Sequence, residues 1–302
     1  MRGKIIKKAA VLALAMVISI SGMGVASLSG ESISVVEAAS LKAKLSKKTL
    51  TVKAGQTKRL KMKNYKKRVK WYSSDKSVVT VSKSGKVKGI RPGSAYVIAK
   101  AGKKKYKCAV TVDFSEKLAK KKLSVRYEEG KSCTVAYLTN NNSYAISISA
   151  TKASYNSSGI IMDTAYDNDY CVGPKETVVL DFTNPKVDGE YVMPPSYKIT
   201  YDVEQSHYRS YATDISTAYN IDNSGIMTEV KNNSGKTLGT IEMKCLMYDD
   251  AGNLLDVGYN FADCYDPGSS DYITFSLPLD GAYRSIVPAS VKIVVDHAYS
   301  YN

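Results

Sequence analysis

The sequence predicts an all-β protein, a small antiparallel sandwich followed by two related antiparallel β-sandwiches, and three observations point to it. From Val69 to Val112 short apolar runs alternate with Gly, Ser and Pro turns. Beyond Lys122 one stretch of sequence occurs twice with a nearly constant offset, and each copy carries strand-and-turn patterning. The remaining chain is long enough for two further domains of about 90 residues.

The N-terminus sets the compartment. Arg2, Lys4, Lys7 and Lys8 precede an apolar run from Ala9 to Ile20, diluted by Ser19, Ser21, Gly22 and Gly24. It is too short and too broken for a good membrane span and fits a secretory signal. Small residues at cleavage spacing occur at Gly24 to Ala26 and at Val36 and Ala38. The second site lies just before the folded part, so the signal is read as residues 1–38 with cleavage after Ala38. No cysteine follows closely and the tail DHAYSYN is neither apolar nor basic, so no lipid anchor or transmembrane segment is expected in the mature protein.

Residues 39–113 form the first sandwich. Strands are expected at Leu50 to Lys53, around Leu60 to Met62, over the segment Val69 to Ser73, at Val79 to Val81 and at Val87, with turns at Gly55 and at Ser84 and Gly85. Arg91, Pro92 and Gly93 make the next reversal. Tyr96 to Ile98 and Cys108 to Val112 complete the sheet, the last strand alternating Cys108, Val110 and Val112 with Ala109 and Thr111. Alternation with Val69 points Trp71, the sole tryptophan, inward, which favours a core role over sugar stacking.

The order Leu50-Thr51-Val52, Gly55, Leu60, Trp71, Ser73-Ser74, Val79, Val81, Gly85, Val87, Gly89, Gly93 resembles the bacterial immunoglobulin-like group 2 domain of secreted and surface proteins. The resemblance implies an immunoglobulin-like sandwich acting as a spacer, adhesion or wall-binding module without an active site.

Charge is unevenly spread within a formal net charge of +15. Residues 41–122 hold 27 Lys and Arg against Asp75, Asp113 and Glu116, whereas residues 123–302 hold 12 against 23 acidic residues. A basic module on a secreted protein suits teichoic acids, anionic glycans, extracellular DNA or acidic headgroups; the plainer alternative is that lysines solvate the sandwich and block its edges. Lys66, Lys67, Arg68 and Lys70, with Lys103, Lys104 and Lys105, are the candidate residues for binding an anionic polymer, because each group sits on a turn where long side chains reach solvent. Tyr65, Tyr72 and Tyr106 interleave with them, yet no groove-entering helix or RNA-binding sheet motif is present, so nucleic acid is a minor option.

Residues 114–122, FSEKLAKKK, lose strand character and are read as a charged linker. The repeats follow at 123–206 and 207–302. Tyr155 to Asp163 matches Tyr248 to Asp256, and the same offset places Cys171 on Cys264, Pro174 on Pro267, Phe182 on Phe275 and Pro185 on Pro278. One added residue brings Ser196 to Asp202 onto Ser290 to Asp296, and Asn141 to Ser143 is matched with Asn232 to Ser234. In the second copy Ile241, Met243, Cys245 and Met247 share one strand face ahead of a DDAGN turn. Here Cys245, Met247, Tyr248 and Asp249 resemble the F-x-L-Y-D motif of a family of extracellular domains. Cys245 replaces the aromatic, and the first copy keeps only Tyr155 of Ser154, Tyr155 and Asn156. The resemblance implies a second kind of extracellular interaction module.

Catalytic motifs do not emerge. Of Cys108, Cys133, Cys171, Cys245 and Cys264, only Cys171 and Cys264 are equivalent, which favours buried thiols over bridges. His207 and His297 each follow a closing strand without metal-ligand spacing. Asp167 with Asp169, and Asp249 with Asp250, are read as turn neighbours rather than a glycosidase pair, and lack a calcium-loop pattern. No catalytic, cofactor or metal site is expected. Tyr166, Tyr170, Tyr208, Tyr211, Tyr219, Tyr259, Tyr265, Tyr299 and Tyr301 are placed at turns, where they suit either strand ends or a contact surface for glycan or protein. The expectation is a secreted, extracellular or wall-associated binding or adhesion protein whose partner is an anionic wall polymer, a glycan or another surface protein. The alternative is a carbohydrate-binding or enzyme-accessory protein that uses the tyrosine-rich repeats.

Overall fold

A computed structural model describes residues 41–280 and 282–300. The expected signal segment 1–38 and Tyr301 lie outside the described residues. No described helix is long and apolar enough to cross a membrane.

The first sandwich contains β1 (Lys44–Leu45), β2 (Thr49–Lys53), β3 (Thr57–Arg59), β4 (Met62–Lys63), β5 (Val69–Ser73), β6 (Val79–Val81), β7 (Lys86–Gly89), β8 (Gly93–Ala101) and β9 (Lys104–Asp113). Sheets β2-β9-β8-β5 and β3-β7-β6 enclose Leu50, Val52, Leu60, Val79, Val87, Val97, Cys108, Val110 and Val112. The expected alternation of β9 holds, with Cys108, Val110 and Val112 buried and Ala109 and Thr111 exposed. Two expectations are corrected. The sandwich is not antiparallel throughout, because β2 pairs in parallel with β9 from Thr49↔Ala109 to Lys53↔Asp113. The strand expected around Leu60 to Met62 breaks between β3 and β4, since Leu60 leaves the ladder to become fully buried and its N–H donates instead to Gly85 O at 2.9 Å. Gly85 itself is at φ 76°, and a Cβ there would collide with the Leu60 carbonyl and come within 3.0 Å of the Trp71 ring. Only glycine fits that turn.

The charged connector contains a short helix, α1 (Glu116–Lys120), tied down from several sides. Ala119 is buried and its carbonyl accepts from Asn142 Nδ2 at 3.2 Å, while Phe114 meets Tyr144 edge-on at 6.2 Å. The buried residues of the first two sandwiches form one continuous cluster.

The second sandwich contains β10 (Leu123–Glu129), β11 (Cys133–Asn140), β12 (Ile146–Tyr155), β13 (Ile161–Val172), β14 (Thr177–Thr183), β15 (Lys186–Val187), β16 (Glu190–Tyr191) and β17 (Ser196–Gln205). The third contains β18 (Arg209–Ser210), β19 (Ile215–Asp222), β20 (Gly225–Asn232), β21 (Thr240–Tyr248), β22 (Leu254–Phe261), β23 (Ser270–Phe275) and β24 (Ser290–Ser300). Sheets β10-β11-β14 and β13-β12-β17 reappear as β19-β20-β23 and β22-β21-β24, the latter extended by β18. The register repeats as well: Thr134↔Phe182 corresponds to Ile226↔Phe275, and Lys152↔Ile199 to Cys245↔Ile293. The two copies are one fold built twice.

Hydrogen bonding corrects the matching of the asparagine turns by one residue. Asn140 Nδ2 donates to the carbonyls of Tyr144, Val172 and Gly173, and Asn232 Nδ2 donates to those of Lys236, Tyr265 and Asp266. The equivalent stretches are therefore Asn140 to Asn142 and Asn232 to Ser234. A buried amide that serves three carbonyls anchors each loop.

All five cysteines are buried and free. The tyrosines assigned to turns lie mostly in strands: Tyr166 and Tyr170 in β13, Tyr219 in β19, Tyr259 in β22 and Tyr299 in β24. β11 is buried on both faces because its outer residues Cys133, Val135 and Tyr137 pack with Val179 against Leu246 and Leu254 of the other copy. That apolar cluster docks the two repeats.

Candidate functional sites: a basic sheet face and a charged cleft between the repeats

The two lysine clusters singled out in the sequence meet at one end of the first sandwich. Val69 pairs with Ala101, which pairs with Lys104, so the loop carrying Lys66, Lys67 and Arg68 enters β5 beside the turn that carries Lys103. A side chain added at Gly102 in that turn would come within 3.6 Å of the Tyr65 hydroxyl, so the loop and the turn lie close together. All seven candidate residues are exposed.

Strand register adds a residue that the sequence reading missed. Lys70 pairs with Lys100, and Lys100 with Lys105, which sets three exposed lysines side by side across β5, β8 and β9. The next row holds Tyr72, Ile98 and Lys107; Lys107 Nζ stands 5.6 Å from the Tyr96 ring centroid. Like charges on directly opposed residues repel, and among the described residues the only ion pair within this sandwich is Arg91 to Asp75 at 4.0 Å. Lys100 could have been found from the alternation of Tyr96, Ile98 and Lys100 with buried Val97 and Ala99.

Beside this face lies a cleft of about 390 Å³ lined by Arg59, Lys61, Tyr65, Arg68, Trp71 and Lys83. Trp71 is half-buried against the core and still borders the cleft, so its inward alternation does not remove it from the surface.

Between the repeats the sequence reading placed the chemistry wrongly. Asp167 and Asp169 are not in a turn but in β13, and His297 does not follow the closing strand but lies inside β24 with its side chain 4% exposed. The reason is that outward faces of β13, β14, β21 and β24 meet and bury one another. Lys244 Nζ donates to Asp167 Oδ2 at 2.6 Å and to Val179 O at 2.8 Å, and pairs with Asp181 at 2.9 Å and Asp296 at 3.2 Å. Burial opposes its charge, but the carboxylates of Asp296, Asp181 and Asp167 more than offset this and raise its pKa. Burial holds Asp296 at about 8 and Asp169 at about 6, against the pull of Lys244 and His297.

His297 completes the cluster. Its Nε2 faces the Tyr170 N–H at 3.1 Å and Asp169 Oδ1 at 3.6 Å, and its Nδ1 faces Glu242 Oε2 at 3.1 Å and Asp296 Oδ2 at 3.6 Å. Burial disfavours a second proton; the hydrogen bond to Glu242 and the charges of Asp169 and Asp296 outweigh it and raise the pKa to about 9. Glu242, Asp296 and His297 bring ligand atoms within 4.8 Å of one another. The cation there is already Lys244 and Nδ1 bears a proton, so the group suits proton sharing better than metal ligation. Above it opens a cleft of about 390 Å³ lined by Asp163, Tyr166, Asp167, Asp181, Lys244 and Tyr259. Asp249 is a turn residue as expected, its Oδ1 accepting the amides of Ala251 and Asn253.

Comparisons with known proteins bear on the first sandwich. No curated protein matches the chain. The crystal structure of native alpha-2-macroglobulin from Escherichia coli spanning domains MG0-NIE-MG1 is 11% identical over 68% of this chain and 85% of that one. Its TM-score of 0.16 is too low to bear on fold or function. Residues 41–112 match the family model of the bacterial Ig-like domain (group 2), which accords with the sandwich of β1 to β9 and with the residues that carried the resemblance.

Proposed function

We propose that this is a secreted, non-enzymatic binding protein of the bacterial cell surface, held to an anionic wall polymer by the basic face of its first sandwich. The observation that carries this reading is the row Lys70, Lys100 and Lys105 on three neighbouring strands, flanked by Lys66, Lys67, Arg68, Lys103 and Lys104 and without an acidic partner. Such a face is electrostatically unfavourable alone and becomes favourable against repeating phosphates or carboxylates. Recognition of this kind tolerates polymer sequence and weakens as salt rises. The match of residues 41–112 to a bacterial Ig-like domain supports a surface or adhesion role. Replacing the seven candidate residues with glutamine should abolish retention on purified wall at low salt while the fold persists; equal retention of parent and variant across a salt series overturns the reading.

A second reading rests on the cleft between the repeats. There Tyr166 and Tyr259, 61% and 52% exposed, flank the carboxylates of Asp163 and Asp167, an arrangement of aromatic faces and acceptors suited to an uncharged glycan. Glycan-array binding lost in a Tyr166→Ala, Tyr259→Ala variant, with wall retention intact, would favour it.

A further inference from the structure

Lys152 breaks the pattern of its own strand. Along β12 the core face is built by Ile146, Ile148 and Ala150, and the next position on that face is a lysine with no exposed surface. Its Nζ donates to Thr134 Oγ1 at 2.8 Å and to Asn184 Oδ1, and both partners are likewise buried. Among the described residues no carboxylate lies within ion-pair distance of this amine. An ammonium ion buried without a counter-ion is costly, and burial pulls the Lys152 pKa down to about 8.

The second copy of the fold shows that the scaffold does not need this trio. The positions equivalent to Thr134, Lys152 and Asn184 are Ile226 and Cys245, both in the apolar core of the third sandwich, and Leu277, partly buried against that core. Polar substitution at three mutually touching core positions in one copy alone marks a site rather than a packing solution.

The carboxamide of Asn184 is held on every side. Its Nδ2 donates to Gly130 O at 2.8 Å and Lys131 O at 3.1 Å, and its Oδ1 accepts from Thr134 Oγ1 at 3.1 Å as well as from Lys152. A nucleophilic amine is thus confined against a fixed carbonyl whose oxygen already receives a hydroxyl hydrogen bond.

We propose that Lys152 and Asn184 join covalently, Nζ to Cγ, in an intramolecular amide that ties the sheet of β12 to the end of β14 in the opposite sheet. The neutral amine adds to Cγ, and the Thr134 hydroxyl donates to the oxygen that gains charge. The Cγ–Nδ2 bond then breaks. One proton of the attacking nitrogen passes to the departing nitrogen, which leaves as ammonia. Atoms and electrons balance without an oxidant or co-reactant.

Intact-mass measurement of the purified full chain tests this. The folded protein should be lighter than its sequence by one ammonia, about 17 Da. Digestion with trypsin should leave Lys152 uncleaved and joined to the peptide that holds Asn184. Lys152→Met and Asn184→Ala should each show the full sequence mass; Lys152→Met should fold, since the third sandwich carries an apolar core at this place. In Asn184→Asp the same bond would expel water instead. A folded parent with the full sequence mass after prolonged incubation overturns the proposal, as does an ammonia loss that persists in Lys152→Met.

Discussion

Lys244 Nζ lies 2.6 Å from Asp167 Oδ2, and this contact joins two copies of one fold through faces that neither copy uses in its own core. The rest of β21 alternates around it, with Met243, Cys245 and Met247 filling the third sandwich. Lys244 and Leu246 turn the other way, to the second sandwich.

Removing that lysine should be costly. Lys244→Met leaves the buried Asp296 and the half-buried Asp167 and Asp181 without their cation, and a loss of about 3–5 kcal/mol is expected in denaturant unfolding. Asp167→Asn, which leaves Lys244 paired with Asp181 and Asp296, should lose clearly less. Equal losses would mean that the cluster does not act as a unit.

Stability should fall as pH rises through neutrality. Asp169 and Asp296 have folded pKa values raised to about 6 and about 8, and His297 to about 9; Lys244, Asp167, Asp181 and Glu242 face them. At these three groups the folded chain therefore binds more protons than the unfolded one, while Lys152, lowered to about 8 by burial, works the other way above about pH 8. The linked stability is fully present below the unfolded values and is lost as pH rises through the folded ones. Melting temperature should decline between about pH 5 and pH 9, and Asp296→Asn should flatten the decline. A melting temperature that climbs across that interval would contradict the assignment. At acid pH the exposed turn carboxylates Asp222, Asp249 and Asp280, whose pKa values are lowered by local hydrogen bonds, act in the opposite direction.

The lysine row should trade stability for binding. Lys100→Thr removes the middle charge between Lys70 and Lys105 and places a good strand former there, so a gain of about 0.2–1 kcal/mol is expected. The same variant should bind purified wall less well, and added salt should stabilise it less than the parent. Calorimetry and wall retention, measured on one preparation, separate the two effects.

The asparagine anchors should be equally sensitive in both copies. Asn140→Ala and Asn232→Ala each strand three carbonyl groups, and each should cost about 1–3 kcal/mol. Chemical denaturation of the two variants checks this; a neutral result in one copy would show that its loop is held by other contacts.

Much of the fold was legible because β2 and β5 to β9 alternate cleanly, and because the repeat preserves Tyr155 and Tyr248, Cys171 and Cys264, Phe182 and Phe275 at fixed spacing. The lysine clusters were legible as runs. What escaped was set by contacts between sandwiches. A strand such as Cys133 to Asn140, buried on both faces, shows no period-two pattern to read, and nothing local in β13 or β24 announces that Asp169 and His297 will be covered by a neighbouring domain. Lys152 escaped for a related reason: a lysine at a core position reads as solvent-facing unless the other copy is aligned with it.

The parallel pairing of β2 with β9 sets how the first sandwich bears load. The first long strand and the last one of this sandwich lie side by side and point the same way, so tension between its N-terminal end and the repeats drags the two strands past each other lengthwise. The five pairs from Thr49↔Ala109 to Lys53↔Asp113 then resist together, in shear, where the hairpin of β8 and β9 pulled from its open end would unzip pair by pair.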